Sequence, residues 1–335
     1  MQVQDNVSLQ PYNTFGIDAR ATHFIQLTDK SQVPEITTAW PGEKHIIGGG
    51  SNILLTQDVT GITILNRLKG IELTKEDNDH AWLRVASGEV WHELVMYAIE
   101  KGWAGIENLA LIPGTIGAAP MQNIGAYGVE VKEVIEEVTA WHWEELRYIT
   151  LNNEQCRFGY RDSIFKHELK GKVFVTDVLF RLNKKAAFNT SYGAITQELE
   201  KMNVTELSTK AIADAVIAIR SSKLPDPKVI GNAGSFFKNP SISKTQYEIL
   251  EQQFPGMPSY PVDDTHVKIP AGWLIEQCGL KGYSAGNTGI HERQALVLVN
   301  KGKATGKEIW ELSEKVLQTV QDKFGILLER EVQVW

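Results

Sequence analysis

The chain has little of what several large protein classes need. Its 335 residues include only two cysteines, Cys156 and Cys278, which lack the C-x-x-C spacing and predict no disulfide framework. Such low cysteine usage fits a reducing compartment, and we expect the cytoplasm. Residues 1–5 lack a basic stretch followed by an apolar run, so no signal peptide is predicted.

Long apolar runs, excess positive charge and metal-ligand clusters are also missing. No apolar stretch of about 20 residues is present, so we expect no membrane-spanning segment. The net charge of −7 argues against a general nucleic-acid binder. The eight histidines show no ligand spacing, and no metal site is predicted. The motifs G-x-G-x-x-G opening a helix, G-x-x-x-x-G-K-[ST] and G-x-S-x-G do not occur, which disfavours Rossmann, P-loop and hydrolase sites.

Glycine, by contrast, is concentrated in two almost uncharged segments. Residues 113–128 place Thr115 and Tyr127 among four glycines, and residues 48–52 read Gly-Gly-Gly-Ser-Asn after a predicted strand. Glycine lets the backbone approach a ligand closely, and successive amides can cradle a pyrophosphate. The alternative for each segment is a loop that merely turns. Together they predict two sides of one site for a large phosphorylated cofactor.

Three further side chains are candidates for chemistry, and each has an ordinary alternative. Arg161 either pairs with Asp162 at the surface or directs its guanidinium at a substrate carboxylate. Ser235 is either a strand-end serine bonded to backbone or a hydroxyl at the mouth of a dry pocket. Glu331, on a predicted terminal strand over residues 327–334, faces either solvent or a site formed by distant segments.

The hydrophobic pattern predicts short strands interspersed with helices. Helices are predicted over residues 31–40, 90–102, 271–279 and 305–325, with two more beginning near Tyr192 and Ser208. Strands are predicted at residues 45–47, 53–55, 62–65, 71–74, 81–86, 133–141, 146–151, 173–182, 295–300 and 327–334. The prolines in residues 221–228 predict a linker, and residues 282–289 predict a loop.

Taken in order, these segments resemble a known family, the UDP-N-acetylenolpyruvoylglucosamine reductases, which are flavoenzymes of peptidoglycan precursor synthesis. The segments that carry the resemblance are residues 13–15, 48–52, 113–128, 160–163, 231–240 and 329–332. Tyr192-Gly193 and the length around it resemble the longer subtype, which has an extra tyrosine-bearing loop over the substrate.

The resemblance implies an α+β fold. It has a two-part FAD-binding region of the vanillyl-alcohol-oxidase (PCMH) type and a C-terminal α+β substrate-binding domain. The implied first FAD-binding subdomain is residues 1–69 together with the C-terminal strand 326–335. The second subdomain is residues 70–223, and the substrate-binding domain is residues 224–325.

The resemblance also implies roles for individual residues. Cofactor contacts are implied for Gly48, Gly49, Gly50, Ser51, Asn52, Pro113, Gly114, Thr115, Gly117, Ala118, Gln122, Asn123, Gly125 and Ala126. Substrate contacts are implied for Tyr127, Tyr192, Lys223, Asn239 and Gln294. Ser235 is implied as the proton donor, with Arg161 and Glu331 stabilising the charge that develops.

The implied reaction reduces UDP-N-acetylglucosamine enolpyruvate to UDP-N-acetylmuramate. NADPH reduces the bound FAD and leaves, the sugar nucleotide takes its place, and the flavin N5 passes hydride to the enolpyruvyl methylene carbon. We expect a cytoplasmic protein without a nucleic-acid or membrane partner. The sequence is compatible with a monomer but does not determine the oligomeric state. Two alternatives stay open: an FAD-dependent oxidase of the same cofactor fold, and a non-catalytic flavoprotein that binds nucleotide sugars.

Overall fold

The structure is a computed structural model that describes residues 2–335. Its α-helices are α1 (Gln32–Ala39), α2 (Trp91–Glu100), α3 (Gly193–Lys201), α4 (Thr209–Lys223), α5 (Lys244–Gln253), α6 (Ala271–Gln277) and α7 (Gly306–Phe324). The strands of the first half are β1 (Gln4–Ser8), β2 (Arg20–Leu27), β3 (Lys44–Ile47), β4 (Ile53–Leu54), β5 (Val59–Asn66), β6 (Ile71–Glu76), β7 (His80–Ala86), β8 (Gly125–Ala126), β9 (Val129–Glu130), β10 (Ile135–His142) and β11 (Arg147–Asn152). The remaining strands are β12 (Val173–Asn183), β13 (Gly231–Ser235), β14 (Ser241–Ser243), β15 (Tyr260–Pro261), β16 (His266–Lys268), β17 (Ser284–Ala285), β18 (Thr288–Ile290), β19 (Val297–Asn300) and β20 (Gln333–Val334).

The chain folds into two compact units, each assembled from separate stretches of sequence. Unit 1 holds the chain up to Val7 together with Ala21–Gly50 and Val59–Ser222. Unit 2 holds Ser8–Arg20, Ser51–Asp58 and Lys223–Trp335. The three-part domain division at residues 69/70 and 223/224 stays a prediction.

Unit 1 contains two principal sheets. The first has the strand order β1-β2-β5-β3, with β5 running parallel to both β2 and β3. The second is antiparallel, in the order β11-β10-β12-β7-β6. Helices α2, α3 and α4 pack their apolar sides into the core beside β7 and β12, where the rings of Trp91 and Phe180 meet edge to face at 6.0 Å. A second core joins α1, β2 and β5 to Trp141 and Phe174 of the antiparallel sheet.

A buried carboxylate, Asp177 on β12, links the antiparallel sheet of unit 1 to the connection between β2 and α1. Its side-chain oxygens accept hydrogen bonds from Lys30 Nζ and Arg84 Nη1, each at 2.7 Å. Burial by itself raises the pKa of Asp177, but the hydrogen bonds from Lys30 and Arg84 outweigh it and hold the pKa below the ordinary 3.8. Arg84 also contacts the more exposed Glu137 at 3.2 Å. Asp177 is therefore stabilised as an anion at neutral pH.

Unit 2 is built around a four-stranded sheet in the order β13-β19-β18-β17 and the long helix α7. A three-stranded sheet, β14-β16-β15, and the parallel pair β20-β4 complete it. Helix α7 begins with a reciprocal capping box between Thr305 and Glu308 and ends at Gly325, whose φ is +64°. Both ends of this helix are confirmed as predicted, because the capping pair and the glycine are local signals.

Three sequence-based assignments are wrong in detail. Residues 282–289 form a β-hairpin of β17 and β18, not a loop, with Gly286 at φ +55° in its turn. The terminal strand is shorter than 327–334, since it consists of β20 and an isolated bridge between Phe237 and Arg330. The predicted linker starts only after α4 ends at Lys223, because Pro225 disfavours helix for the residue directly before it and not for earlier ones.

We predict that Asp177→Asn lowers the free energy of unfolding by about 2 kcal/mol, the usual contribution of hydrogen bonds to a charged group. The matched control is Glu137→Gln, which removes a carboxylate from the same Arg84 at a more exposed position, and we expect it to cost about 0–1 kcal/mol. Urea unfolding measures both. Because the folded pKa lies below 3.8, the contribution of Asp177 is complete above that pH and is lost as the pH falls through the folded pKa. The gap between wild type and Asp177→Asn should therefore close only in strong acid, and a gap that closes near neutral pH would contradict this account.

Candidate functional site

The two glycine-rich segments meet in unit 1. A Cβ atom added to Gly48 would lie 2.2 Å from Thr115 Oγ1, and one added to Gly49 would lie 3.0 Å from Gly114 Cα. The first distance is closer than a real Cβ approaches another atom, and the second is tighter than most real Cβ contacts, so a side chain at either position would require the other segment to shift. The sequence prediction that both segments border one place is therefore supported for Gly48–Gly50, the part that lies in unit 1.

The longer segment is fixed from behind by buried backbone. The amide of Gly117 donates to the carbonyl of Ser87 at 2.9 Å, and the Ser87 hydroxyl accepts from Asn66 Nδ2 at 2.8 Å. Ser87 is fully buried, and a Cβ on Gly117 would lie 2.8 Å from the Ser87 Cβ. These contacts leave little room for residues 115–117 to move.

The composition of these two segments fits a dinucleotide cofactor. Gly50 and Gly114 have φ values of +62° and +110°, which residues with side chains rarely adopt, so both positions favour glycine. Gly49, Pro113 and Ala118 are exposed, whereas Thr115 and Asn123 are buried. Backbone that can be approached closely suits a large phosphorylated ligand such as FAD.

A tight hairpin closes the long segment. Strands β8 and β9 pair through Gly125 and Ala126, and the turn residues Tyr127 and Gly128 have φ values of +51° and +81°. The tyrosine is thus held in a left-handed conformation at the hairpin tip. Gln122, which lies upstream of the hairpin, is partly buried.

Arg161 contacts this hairpin directly. Its Nη2 donates to the carbonyl of Gly125 at 2.6 Å and its Nη1 to the carbonyl of Asn123 at 3.4 Å. The guanidinium lies over the ring of Tyr160, 5.4 Å from its centre. The carboxylate of Asp162 is held by His167 Nε2 at 2.8 and 2.9 Å. The predicted catalytic arginine is therefore brought beside the predicted cofactor segment.

Two predicted substrate residues, Tyr127 and Tyr192, also come together in unit 1. Their rings meet edge to face with centres 5.3 Å apart. Asn108, which is 1% exposed, donates its side-chain amide to the carbonyls of Tyr127 and Asn189. This buried amide ties the hairpin tip to the segment that leads into Tyr192 at the start of α3.

The sequence reasoning missed Arg220, on α4. Its Nε donates to the carbonyl of Leu111 at 3.3 Å, and its guanidinium interacts with the hydroxyl of Tyr127. Burial lowers the pKa of Arg220, and the charge of Arg161 lowers it further. Burial likewise raises the pKa of the Tyr127 phenol. An arginine on an amphipathic helix carries no sequence signal of this placement.

Unit 2 brings Ser235 and Glu331 onto neighbouring segments. The amide of Glu331 donates to the carbonyl of Phe236, the residue after Ser235, at 2.8 Å. Asn52 Nδ2 donates to the carbonyl of Glu331 at 3.3 Å. Ser235 ends β13 after a register shift that begins at Asn232. A bulge of this kind redirects the side chain that follows it.

The other predicted residues of unit 2 take different positions. Asn239 Oδ1 accepts from the amide of Ala271 at 2.9 Å, and a Cβ on Gly272 would lie 3.2 Å from Gln294 Oε1, so both side chains lie at the first turn of α6. Lys223 is exposed at the end of α4, and Ser51 is partly buried.

Two family models match different parts of the chain. One, described as an FAD binding domain, matches residues 23–144. The other, described as UDP-N-acetylenolpyruvoylglucosamine reductase, C-terminal domain, matches residues 226–335. The first match gives the chain an FAD binding domain, and this domain contains both glycine-rich segments.

Relatives specify which flavoprotein family. The chain is 51% identical to UDP-N-acetylenolpyruvoylglucosamine reductase of Chromobacterium violaceum, over 99% of this chain and 98% of that protein. It is 48% identical to the reductase of Flavobacterium johnsoniae, with 100% of each chain covered. The crystal structure of the Thermus caldophilus reductase matches with a TM-score of 0.70 and 26% identity, over 100% of this chain and 99% of that one. The chain belongs to the UDP-N-acetylenolpyruvoylglucosamine reductase family.

Membership confirms several predictions. The fold is α+β with an FAD-binding region and a C-terminal domain, and the chain is an enzyme, an oxidoreductase of peptidoglycan precursor synthesis. The family uses FAD with NADPH as the reductant, so the predicted cofactors are confirmed. The alternative of a non-catalytic flavoprotein is wrong. Across residues 2–335, no helix combines the length and apolarity needed to cross a bilayer.

We predict that Gly48→Ala disrupts the contact between the two glycine-rich segments. Its Cβ would lie 2.2 Å from Thr115 Oγ1, and Thr115 is 5% exposed, so overpacking should cost about 1–3 kcal/mol and lower the flavin content. Adding Thr115→Ala should restore much of the loss, because the nearest remaining Thr115 atom lies at 3.3 Å. Gly42→Ala is the control, since its added Cβ meets nothing within 4 Å. Thermal unfolding and the flavin-to-protein absorbance ratio provide the readout, and equal values for Gly48→Ala and Gly42→Ala would refute the contact.

Proposed function

We propose that the chain reduces UDP-N-acetylglucosamine enolpyruvate to UDP-N-acetylmuramate with electrons from NADPH. The observation that carries this proposal is the full-length similarity to UDP-N-acetylenolpyruvoylglucosamine reductases, together with the contact of Arg161 with the longer glycine-rich segment. When bound, FAD supplies the hydride for this reduction. The two cysteines are both free thiols, which supports the cytoplasm as the proposed compartment.

Arg161 is proposed to hold the carboxylate of the enolpyruvyl group. Hydride addition to an electron-rich enol ether is difficult unless charge can move into that carboxylate. A guanidinium remains charged at all relevant pH values and can bind a carboxylate through two parallel hydrogen bonds. The bonds from Arg161 to the carbonyls of Asn123 and Gly125 support this role, since they preorganise the cation before substrate arrives.

Ser235 is proposed as the proton donor to the carbon next to the one that receives hydride. A serine hydroxyl is a weak acid, so it gives up its proton only to a strongly basic, carbanion-like centre. The register shift ahead of Ser235 and the hydrogen bond between Phe236 and Leu296 fix the backbone on both sides of this residue. That fixed position supports proton delivery to one defined atom.

Glu331 is proposed to stabilise the charge that develops in the reaction, as the family resemblance implies. Its backbone is fastened at both peptide groups, through the carbonyl of Phe236 and the side chain of Asn52. Preorganised groups directed at developing charge contribute about 2.7–4 kcal/mol each in other enzymes.

The nucleotide sugar is proposed to contact Tyr127, Tyr192, Lys223, Asn239 and Gln294. The cofactor contacts are proposed along both glycine-rich segments, with backbone providing most of the surface. In support, the edge-to-face pair of Tyr127 and Tyr192 presents two phenol groups at one place, and Tyr192 is 44% exposed. Lys223 offers a positive charge suited to a diphosphate.

We predict that Ser235→Ala separates the two halves of the reaction. The variant should keep its flavin and bleach with NADPH at the wild-type rate, because the hydroxyl has no part in flavin reduction. Recovery of the yellow colour with the enolpyruvyl sugar nucleotide should slow by roughly 100- to 10,000-fold, the range typical of a lost general acid. Anaerobic stopped-flow absorbance measures both steps. Ser241→Ala, an exposed serine of the same unit, is the control and should behave as wild type. Normal recovery in Ser235→Ala would exclude the proposed proton donor.

A further inference from the structure

Four side-chain hydrogen bonds join two segments of unit 1 around Arg161. The first is the wall segment, residues 121–125, and the second is the Arg161 turn, residues 159–163. Arg161 donates to the carbonyls of Asn123 and Gly125, as described above. In the same direction, Ser163 Oγ donates to the carbonyl of Met121 at 2.6 Å. In the opposite direction, Asn123 Nδ2 donates to the carbonyl of Gly159 at 2.9 Å. The two segments therefore hold each other reciprocally.

The side chain of Asn123 is wholly engaged inside the protein. Besides Gly159, its Nδ2 donates to Glu130 Oε2 at 3.0 Å, and its Oδ1 accepts from the amide of Lys132 at 3.1 Å. The residue has no exposed surface. A carboxamide has two N–H donors, so both are used within the protein. Asn123 thus has no hydrogen left to give to a cofactor.

The backbone shows why this bonding matters for the arginine. Asn123 and Arg161 have φ values of +45° and +54°, in the left-handed region that L residues seldom occupy. Such conformations persist where surrounding contacts determine them. For Arg161 those contacts include the paired backbone bonds between Gly159 and Asp162. They also include the hydrogen bond that Lys166 Nζ donates to the backbone carbonyl of Arg161. The side chain of Asn123 donates a hydrogen bond to the carbonyl of Gly159, the first residue of this turn.

We infer that Asn123 is a positioning residue for Arg161, and that its side chain sets the guanidinium in place without touching the cofactor. This inference rests on the proposed role of Arg161. It replaces the cofactor contact that the sequence implied for the Asn123 side chain with a contact to the arginine turn. The class of group that Arg161 is positioned to receive is a carboxylate conjugated with a carbon–carbon double bond whose far carbon accepts hydride.

The first test is Asn123→Gly, because glycine keeps the left-handed backbone and removes only the side chain. We expect unchanged flavin content and an unchanged rate of bleaching by NADPH. Recovery with the enolpyruvyl sugar nucleotide should slow by about 10- to 100-fold, since small misplacements of a positioned group have effects of that size. Arg161→Lys should show the same division, and the double variant should be no slower than the slower single variant.

The second test is Asn123→Asp, which keeps the acceptor for the Lys132 amide and removes both donors. When ionised, the new carboxylate would repel the carboxylate of Glu130. The other charged groups in this region are Lys132, Arg161 and the Asp162–His167 pair. When protonated, the new side chain regains one donor. Relative to wild type, recovery of the flavin colour should therefore improve as the pH is lowered, which a purely structural defect would not produce. This variant carries the test if Asn123→Gly does not retain its fold.

The outcomes separate the inference from the function on which it rests. If Asn123→Gly lost flavin to the same extent as it lost the rate of colour recovery, the side chain would be shown to bind the cofactor. That result would overturn the inference. A slow Arg161→Lys with a normal Asn123→Gly would also overturn it, while the proposed function stands. Normal recovery in Arg161→Lys would instead refute the proposed role of Arg161.

Discussion

The structure depends on the close approach of two glycine-rich segments, in which Gly48 meets the side chain of Thr115 and Gly49 meets the backbone of Gly114. Gly48 and Gly49 lie against Gly114 and Thr115 so closely that even a methyl group on either glycine would have to displace its neighbour. Glycine loses much conformational entropy on folding, and such a contact contributes little buried apolar area in return. Peptide groups that side chains leave uncovered are the kind of surface that suits a phosphorylated ligand.

Because that contact is weak in itself, the surrounding structure has to hold it. The fully buried Ser87 accepts a hydrogen bond from the Asn66 side chain at its hydroxyl and one from the Gly117 amide at its carbonyl. The carboxylate of Asp177 accepts hydrogen bonds from Lys30 and Arg84, which lie on separate segments of the same unit. Buried polar groups of this kind are costly unless all are paired, and here each is paired. The Ser87 bonds thus fix the position of the longer glycine-rich segment, whereas the apolar cores beside α2 and α1 supply most of the stability.

Local signals in the sequence predicted much of the fold. The capping box at Thr305 and the glycine at 325 bounded α7, and alternation located the β10–β11 hairpin. Long-range bonds are where prediction failed. The path from residue 327 to 332 follows from bonds to Phe236 and Lys238, which lie about ninety residues earlier in the chain. Arg220 could not be recognised either, because its place beside Tyr127 arises from how α4 packs and not from its neighbours in sequence.

The motifs of the candidate site were predictable from the sequence, but which residue of each motif contacts a ligand and which holds the protein backbone was not. Asn52, Asn123 and Asn239 all belong to segments that the sequence assigns to ligands, yet each side chain bonds the backbone of another protein segment. An asparagine is equally suited to both tasks, because it offers two donors and an acceptor on a short, stiff stem. A motif that must position a guanidinium or a hydroxyl within a fraction of an ångström needs supporting side chains of this kind, hydrogen-bonded to the backbone beside the functional group. Residue type and spacing therefore locate the site. Only the hydrogen bonds that each side-chain amide makes show whether that residue can bind a ligand or instead positions another residue that does.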